Sequence, residues 1–83
     1  MRLTLRYFAS IREAIGQASE PYDGKAMDLA ALRDELLARG APYAQALARA
    51  KVVRMALNQV MCGEDAKLVE QAEVAFFPPV TGG

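Results

Sequence analysis

The chain closes on Glu73-Val74-Ala75-Phe76-Phe77-Pro78-Pro79-Val80-Thr81-Gly82-Gly83, or EVAFFPPVTGG. Alternation over 73–77 predicts a strand with Val74 and Phe76 on one face and Ala75 and Phe77 on the other. Proline fixes φ and has no N–H to give a ladder, so the strand cannot continue past Phe77. Pro78-Pro79 instead launches the chain away from the sheet as a stiff extended arm. Residues 78–83 then reach roughly 20 Å at ~3.3 Å per residue, enough to enter another protein's active site. Without Cβ atoms, Gly82 and Gly83 can thread a narrow channel and leave the terminal carboxylate unobstructed. The reading divides the chain into a globular domain over 1–77 and an extended, flexible tail over 78–83.

Working backward, the last strand needs partners. Arg2 to Phe8 alternates too, with Leu3, Leu5 and Tyr7 on one face and Arg2, Thr4, Arg6 and Phe8 on the other. If Val74 and Phe76 join the core, Phe77 lies on the open face of the sheet, where Phe8 also points. Two outward aromatics make an apolar patch of the kind that meets a protein partner. Ser10-Ile11-Arg12-Glu13 has the capping-box spacing, which explains Ser10 and Glu13 without any chemistry, and Gly16 ends a short helix. Residues 17–22 suggest a weak strand that Pro21 confines to an edge. Asp28 caps a longer helix with Leu29, Leu32 and Leu36 in a stripe, ended by Gly40 and Pro42. The alanine-rich 42–50 allows one or two helical turns. Val52 to Val60 reads as a strand with Val53, Met55 and Leu57 opposite Arg54 and Asn58, followed by a turn at Gly63-Glu64-Asp65. The order predicts an α+β domain: a mixed sheet, one main helix across it and a short helix after the first strand.

Eighty-three residues make one domain, of a size that buries about 60 to 65% of its unfolded surface. With 53% hydrophobic and 24% charged residues the chain is neither disordered nor membranous. Ten basic residues balance ten acidic ones, which argues against nucleic acid and against a membrane surface. Charges interleaved through Met1–Tyr7 are wrong for a signal peptide, so the expected location is the cytoplasm. The single cysteine, Cys62, cannot form an internal disulfide and reads as a half-buried structural thiol. There is no histidine, which removes Ser/His, Cys/His and histidine-metal sites from this chain. Glu64, Asp65, Glu70 and Glu73 lack calcium-loop spacing, and no glycine-rich phosphate motif occurs, so no metal, dinucleotide or nucleotide is expected on the chain itself. Any catalysis falls to a partner.

A carboxylate is a poor electrophile, but adenylation with ATP would turn Gly83 into a glycyl adenylate that sulfide or an amine could attack. Here EVAFFPPVTGG, together with LRYFASIREAIG at 5–16 and ALNQ at 56–59, resembles the small, sulfur-carrier subunits of molybdopterin synthase, a family with the ubiquitin-like β-grasp fold. The resemblance implies that a ubiquitin-activating-like adenylyltransferase activates Gly83. With a sulfur donor enzyme it becomes a thiocarboxylate (1-thioglycine), and the large catalytic subunit uses it to sulfurate the pterin precursor of molybdenum cofactor. It implies that Gly83 is the reacting residue, that Gly82 gives the tail its flexibility, and that the chain alone is not catalytic. Phe8, Arg12, Phe77, Pro78, Pro79, Val80 and Thr81 are the candidate partner contacts. The family commonly has an acidic, glycine-containing turn before the last strand, where this chain has Glu70-Gln71-Ala72-Glu73, so a different turn geometry is expected. Rival readings are a thiamine-type carrier, a ubiquitin-like tag, and a non-catalytic binding module that uses the Phe8/Phe77 patch and the terminal carboxylate for recognition.

Overall fold

A computed structural model describes residues 1–79. In chain order the elements are β1 (Arg2–Tyr7), α1 (Ala9–Ile15), β2 (Ser19–Asp23), α2 (Leu29–Leu37), α3 (Tyr43–Ala46), β3 (Arg54–Leu57), β4 (Val60–Cys62) and β5 (Glu73–Phe77). The five strands form one mixed sheet in the order β2-β1-β5-β3-β4. β1 and β5 run parallel at its centre, and every other pairing is antiparallel.

Alternation sets which face is buried. Leu3, Leu5 and Tyr7 of β1 and Val74 and Phe76 of β5 all point into the core. The register aligns Leu5 with Val74 and Tyr7 with Phe76 on one side, and Met55 with Phe76 on the other. α2 covers that face with Leu29, Leu32 and Leu36, all fully buried. Removing each leucine from water contributes about 1.5–3 kcal/mol. The Asp28 carboxylate accepts the Ala31 N–H at 2.9 Å and caps α2 as its sequence predicts. Gly16, at φ +91°, ends α1 and donates its N–H to the Arg12 carbonyl. β2 forms at the sheet edge with Pro21 opposite Thr4. The edge is where a residue without an N–H does least harm.

Two expectations need correction. Ser10 and Glu13 do not form a capping box: α1 begins at Ala9, its N-cap is Phe8, and no side chain caps it. The strand passes directly into the helix, and the Phe8 carbonyl itself accepts the Ile11 and Arg12 N–H groups at 3.1 and 3.2 Å. The stretch 52–60 is not one strand. Asn58 and Gln59 take φ of +49° and +70°, reversing the chain between Leu57 and Val60. Two consecutive left-handed residues are the geometry of a tight hairpin, so β4 follows where the alternating pattern had concealed the turn. Met55 is buried, and Val53 and Leu57 pack against the core as expected, although Val53 lies just outside β3.

The 70–73 turn does contain a left-handed residue, but Gln71 carries it, at φ +67°, while Ala72 turns into the core. The Gln71 N–H donates to the Arg2 carbonyl at 2.7 Å, which ties this turn to the start of β1. No helix among the described residues is long and apolar enough to cross a membrane.

Candidate functional site

Because β1 and β5 are parallel neighbours, their C-terminal ends finish at the same end of the sheet. The Phe8 N–H donates to the Phe76 carbonyl at 3.1 Å, which sets Phe8 beside Phe77. Their rings meet edge-to-face, with centroids 5.9 Å apart and planes at 80°, an arrangement the aromatic quadrupole favours. Phe8 remains 37% exposed and Phe77 half-buried. The Arg6 guanidinium lies over the Phe8 ring, 5.3 Å from its centroid, and pairs with Glu73 at 3.0 Å. The two aromatics are therefore packed on the open face, as alternation predicts.

The open face continues across the sheet. Arg54 stands opposite Phe77, Ala56 opposite Ala75, and Met61 opposite Ala56. The alanines leave a low floor between the phenylalanines and Met61, which is 53% exposed. Sequence reasoning missed Met61 because it ran β3 through the hairpin turn. Ending the strand at Asn58-Gln59 would have put Met61 on this face by alternation.

Pro78 and Pro79 leave the same end of the sheet and line a hollow of about 370 Å³. Ser10, Ile11 and Ala14 of α1 form one wall and Lys51, Val52 and Val53 the other. Arg12 is exposed on α1, with its amide bonded to Phe8. Val80, Thr81, Gly82 and Gly83 lie outside the described residues. A hollow of about 530 Å³ at the opposite end of the sheet, against Arg2, Tyr22 and Gln71, is remote from the tail.

Two polar networks fasten the frame behind this surface. Arg33 of α2 is buried, and it donates to the carbonyls of Leu47, Ala48 and Lys51 at 2.9, 2.7 and 3.1 Å and to Glu64 at 2.9 Å. It thereby fixes the loop that forms one wall of the tail-root hollow. In the second network Glu20 accepts the hydroxyls of Tyr7 and Tyr43 at 2.8 and 2.7 Å, and Arg39 pairs with it at 3.3 Å. Burial, then the bond and charge of Glu20, push the Tyr7 and Tyr43 hydroxyls above the usual tyrosine range. Such groups hold their protons far above neutrality and serve as fastenings. Among the described residues no group of three or more Cys, Asp or Glu side chains could hold a metal ion, and Cys62 is half-buried in β4.

A five-stranded mixed sheet wrapped over one main helix, with the last strand running into Pro78 and Pro79, defines a ubiquitin-like β-grasp protein. Residues 5–83 match the ThiS family, and the chain belongs to it. It is 38% identical over 77 residues to the molybdopterin synthase sulfur carrier subunit of Escherichia coli (strain K12), a match covering 93% of this chain and 94% of that one. SAMP1 from Haloferax volcanii shares the fold with a TM-score of 0.77 at 19% identity, over all of both chains. A chain from the complex of subunits 1 and 2 of molybdopterin-converting factor from Helicobacter pylori 26695 superposes with a TM-score of 0.68 at 25% identity, also over all of both chains.

Proposed function

We propose that this chain is the sulfur carrier of a molybdopterin synthase and that Gly83 is its reacting residue. The observation that carries the reading is the joint placement of the Phe8–Phe77 pair and the Pro78-Pro79 exit at one end of the sheet. The similarity to the Escherichia coli carrier subunit and to a chain of the two-subunit Helicobacter pylori complex supports it.

In this reading the Gly83 carboxylate attacks the α-phosphate of ATP on a ubiquitin-activating-like adenylyltransferase, expelling pyrophosphate. Sulfide delivered by a donor enzyme attacks the acyl carbon, displaces AMP and leaves a thiocarboxylate. The tail then enters the large subunit, which holds the pterin precursor, and Gly83 gives up its sulfur there. Phe8, Arg12 and Phe77 dock the domain, while Pro78 to Thr81 direct the arm and Gly82 passes the narrow entry. The chain contributes recognition and reach, and its partners contribute catalysis. In this reading the chain works in the cytoplasm, alongside its ATP-using enzyme partners.

Incubation with ATP, a sulfur donor and the cognate activating enzyme, followed by intact mass analysis, tests the first half. An oxygen-for-sulfur mass gain on Gly83 is expected, and an unchanged mass favours a plain binding module. The thiocarboxylated chain must then convert precursor with the large subunit, and failure at that step sinks the molybdopterin reading. Adding or deleting one residue at Gly83 abolishes transfer with the fold intact, because the reacting atom moves by ~3 to 4 Å.

A further inference from the structure

One carboxylate stands behind two structures that meet at the tail root. Glu20 lies on the core face of β2, opposite Leu5 of β1, with its side chain only 10% exposed. It accepts the Tyr7 hydroxyl at 2.8 Å and the Tyr43 hydroxyl at 2.7 Å, and the Arg39 guanidinium pairs with it at 3.3 Å. Arg39 in turn lies over the Tyr43 ring, 4.3 Å from its centroid, and Gln17 donates to the Tyr43 oxygen at 3.2 Å. Among the described residues no buried side-chain N or O atom lacks a partner, so the cluster is complete as it stands.

Two routes lead from this carboxylate to the point where the chain leaves the sheet. Tyr7 ends β1, and its ring stacks on Phe76 with centroids 5.9 Å apart and planes at 18°. These two are the last core-facing residues of the central strands, paired in register, and Phe8 and Phe77 follow them, with Pro78 directly after. The second route runs through α3. Tyr43 opens that helix, its ring 6.4 Å from that of Tyr7, and Ala46 closes it and lines the hollow that Pro78 and Pro79 share. A fully satisfied buried network rigidifies the groups it joins. Glu20 therefore fixes the strand ends on one side of the root and the α3 wall on the other.

We propose that Glu20 is a positioning residue for the activation of Gly83: by holding the hydroxyls of Tyr7 and Tyr43 it sets the direction in which β5 delivers the tail. The inference rests on the carrier reading, since direction matters only if Gly83 reacts. Leverage makes small displacements count. A tilt of about 10° at the root of a ~20 Å arm carries its end ~3 Å sideways, enough to take an attacking oxygen out of line. Phe8 and Phe77 sit at the pivot and move far less. Loss of Glu20 should therefore spare association with the activating enzyme and slow the chemical step.

Pyrophosphate release from ATP by the cognate adenylyltransferase, with the full-length chain as the varied substrate, tests the proposal. Glu20→Ala should lower kcat roughly 10- to 100-fold while KM stays within about 2-fold of the parent. The rates are taken well below the thermal midpoint, where circular dichroism shows the variant folded, so a merely structural role would leave kcat unmoved. Glu20→Gln keeps an oxygen that can accept both phenols and should hold kcat within about 3-fold of the parent. If Glu20→Ala does not fold, Tyr7→Phe/Tyr43→Phe, which keeps both rings, should show the same loss in kcat. Either variant, folded and with the parent's kcat, overturns the proposal. So does a loss confined to KM, or a Glu20→Gln variant as slow as Glu20→Ala; the carrier reading stands in each of these cases. If the parent chain itself elicits no pyrophosphate, the carrier reading falls and this inference with it.

Discussion

Gln71 marks a place where the sequence and the backbone disagree. Its φ of +67° is a conformation that side chains with a Cβ avoid, yet its N–H holds Arg2 and its neighbour Ala72 must face inward. Gln71→Gly should therefore raise stability by up to ~1 kcal/mol, the relief exceeding the entropy that glycine adds to the unfolded chain. A higher urea midpoint at an unchanged m-value checks this, and a lower midpoint would mean that the Gln71 side chain holds more than its backbone costs. At this scale the sequence was legible where pattern alone decides. Alternation suffices to set Phe8 and Phe77 outward, and the residue type suffices for Asp28 as a cap. It was not legible at Gln71, Asn58 and Gln59, because left-handed φ at a residue other than glycine is imposed by the surrounding ladder.

Among the elements, α1 shows why boundaries escape sequence reading. A capping-box spacing is real at Ser10 and Glu13, but the parallel pairing of β1 with β5 holds the chain through Phe8 and leaves the helix to start at once. The β3–β4 hairpin was hidden in the same way, since Leu57, Val60 and Met61 keep an apolar pattern running through the reversal. α2 was the most legible element, because its stripe and cap agree. It also carries Arg33, whose role no periodicity announces, since its partners are backbone carbonyls 14 to 18 residues away. Arg33→Met would leave those carbonyls and Glu64 without their donor. It should cost ~2–4 kcal/mol, with hydrogen exchange accelerated first in the 47–51 loop. Uniform exchange across the domain would show that Arg33 holds the core and not the loop.

For the molecule as a whole, the three tyrosines give an alkaline signature. Burial and Glu35 push Tyr22 up to about 12, and Tyr7 and Tyr43 are raised by burial and Glu20. In the unfolded chain all three would ionise near 10. Between those values the native state keeps protons that the unfolded state has lost, so stability is full below pH ~10 and falls as pH rises toward ~12. Ultraviolet titration should show less phenolate in the folded chain than in the unfolded chain at pH ~10, with the remainder appearing as the domain unfolds. A single tyrosine titrating normally in the native state would break this account of the Glu20 and Glu35 networks. The overall architecture was legible because the strand and helix patterns left few ways to cover both apolar faces; the hollow beside Pro78 and Pro79 was not, because residues 10–14 and 51–53 meet only after folding.

The central position of β5 has a further consequence in time. Without residues 73–77 the sheet falls into two halves, β2-β1 and β3-β4, neither of which can close over α2. The strand that joins them is the last to be synthesised in this sequence, and its pairing with β1 spans nearly the whole chain, a contact of the slow, non-local kind. The segment that completes the sheet is also the one that carries the tail. A chain can thus present the Phe8–Phe77 pair beside its tail root only after its own assembly is finished, and an activating enzyme that waits for that surface would be spared from charging an unfinished molecule.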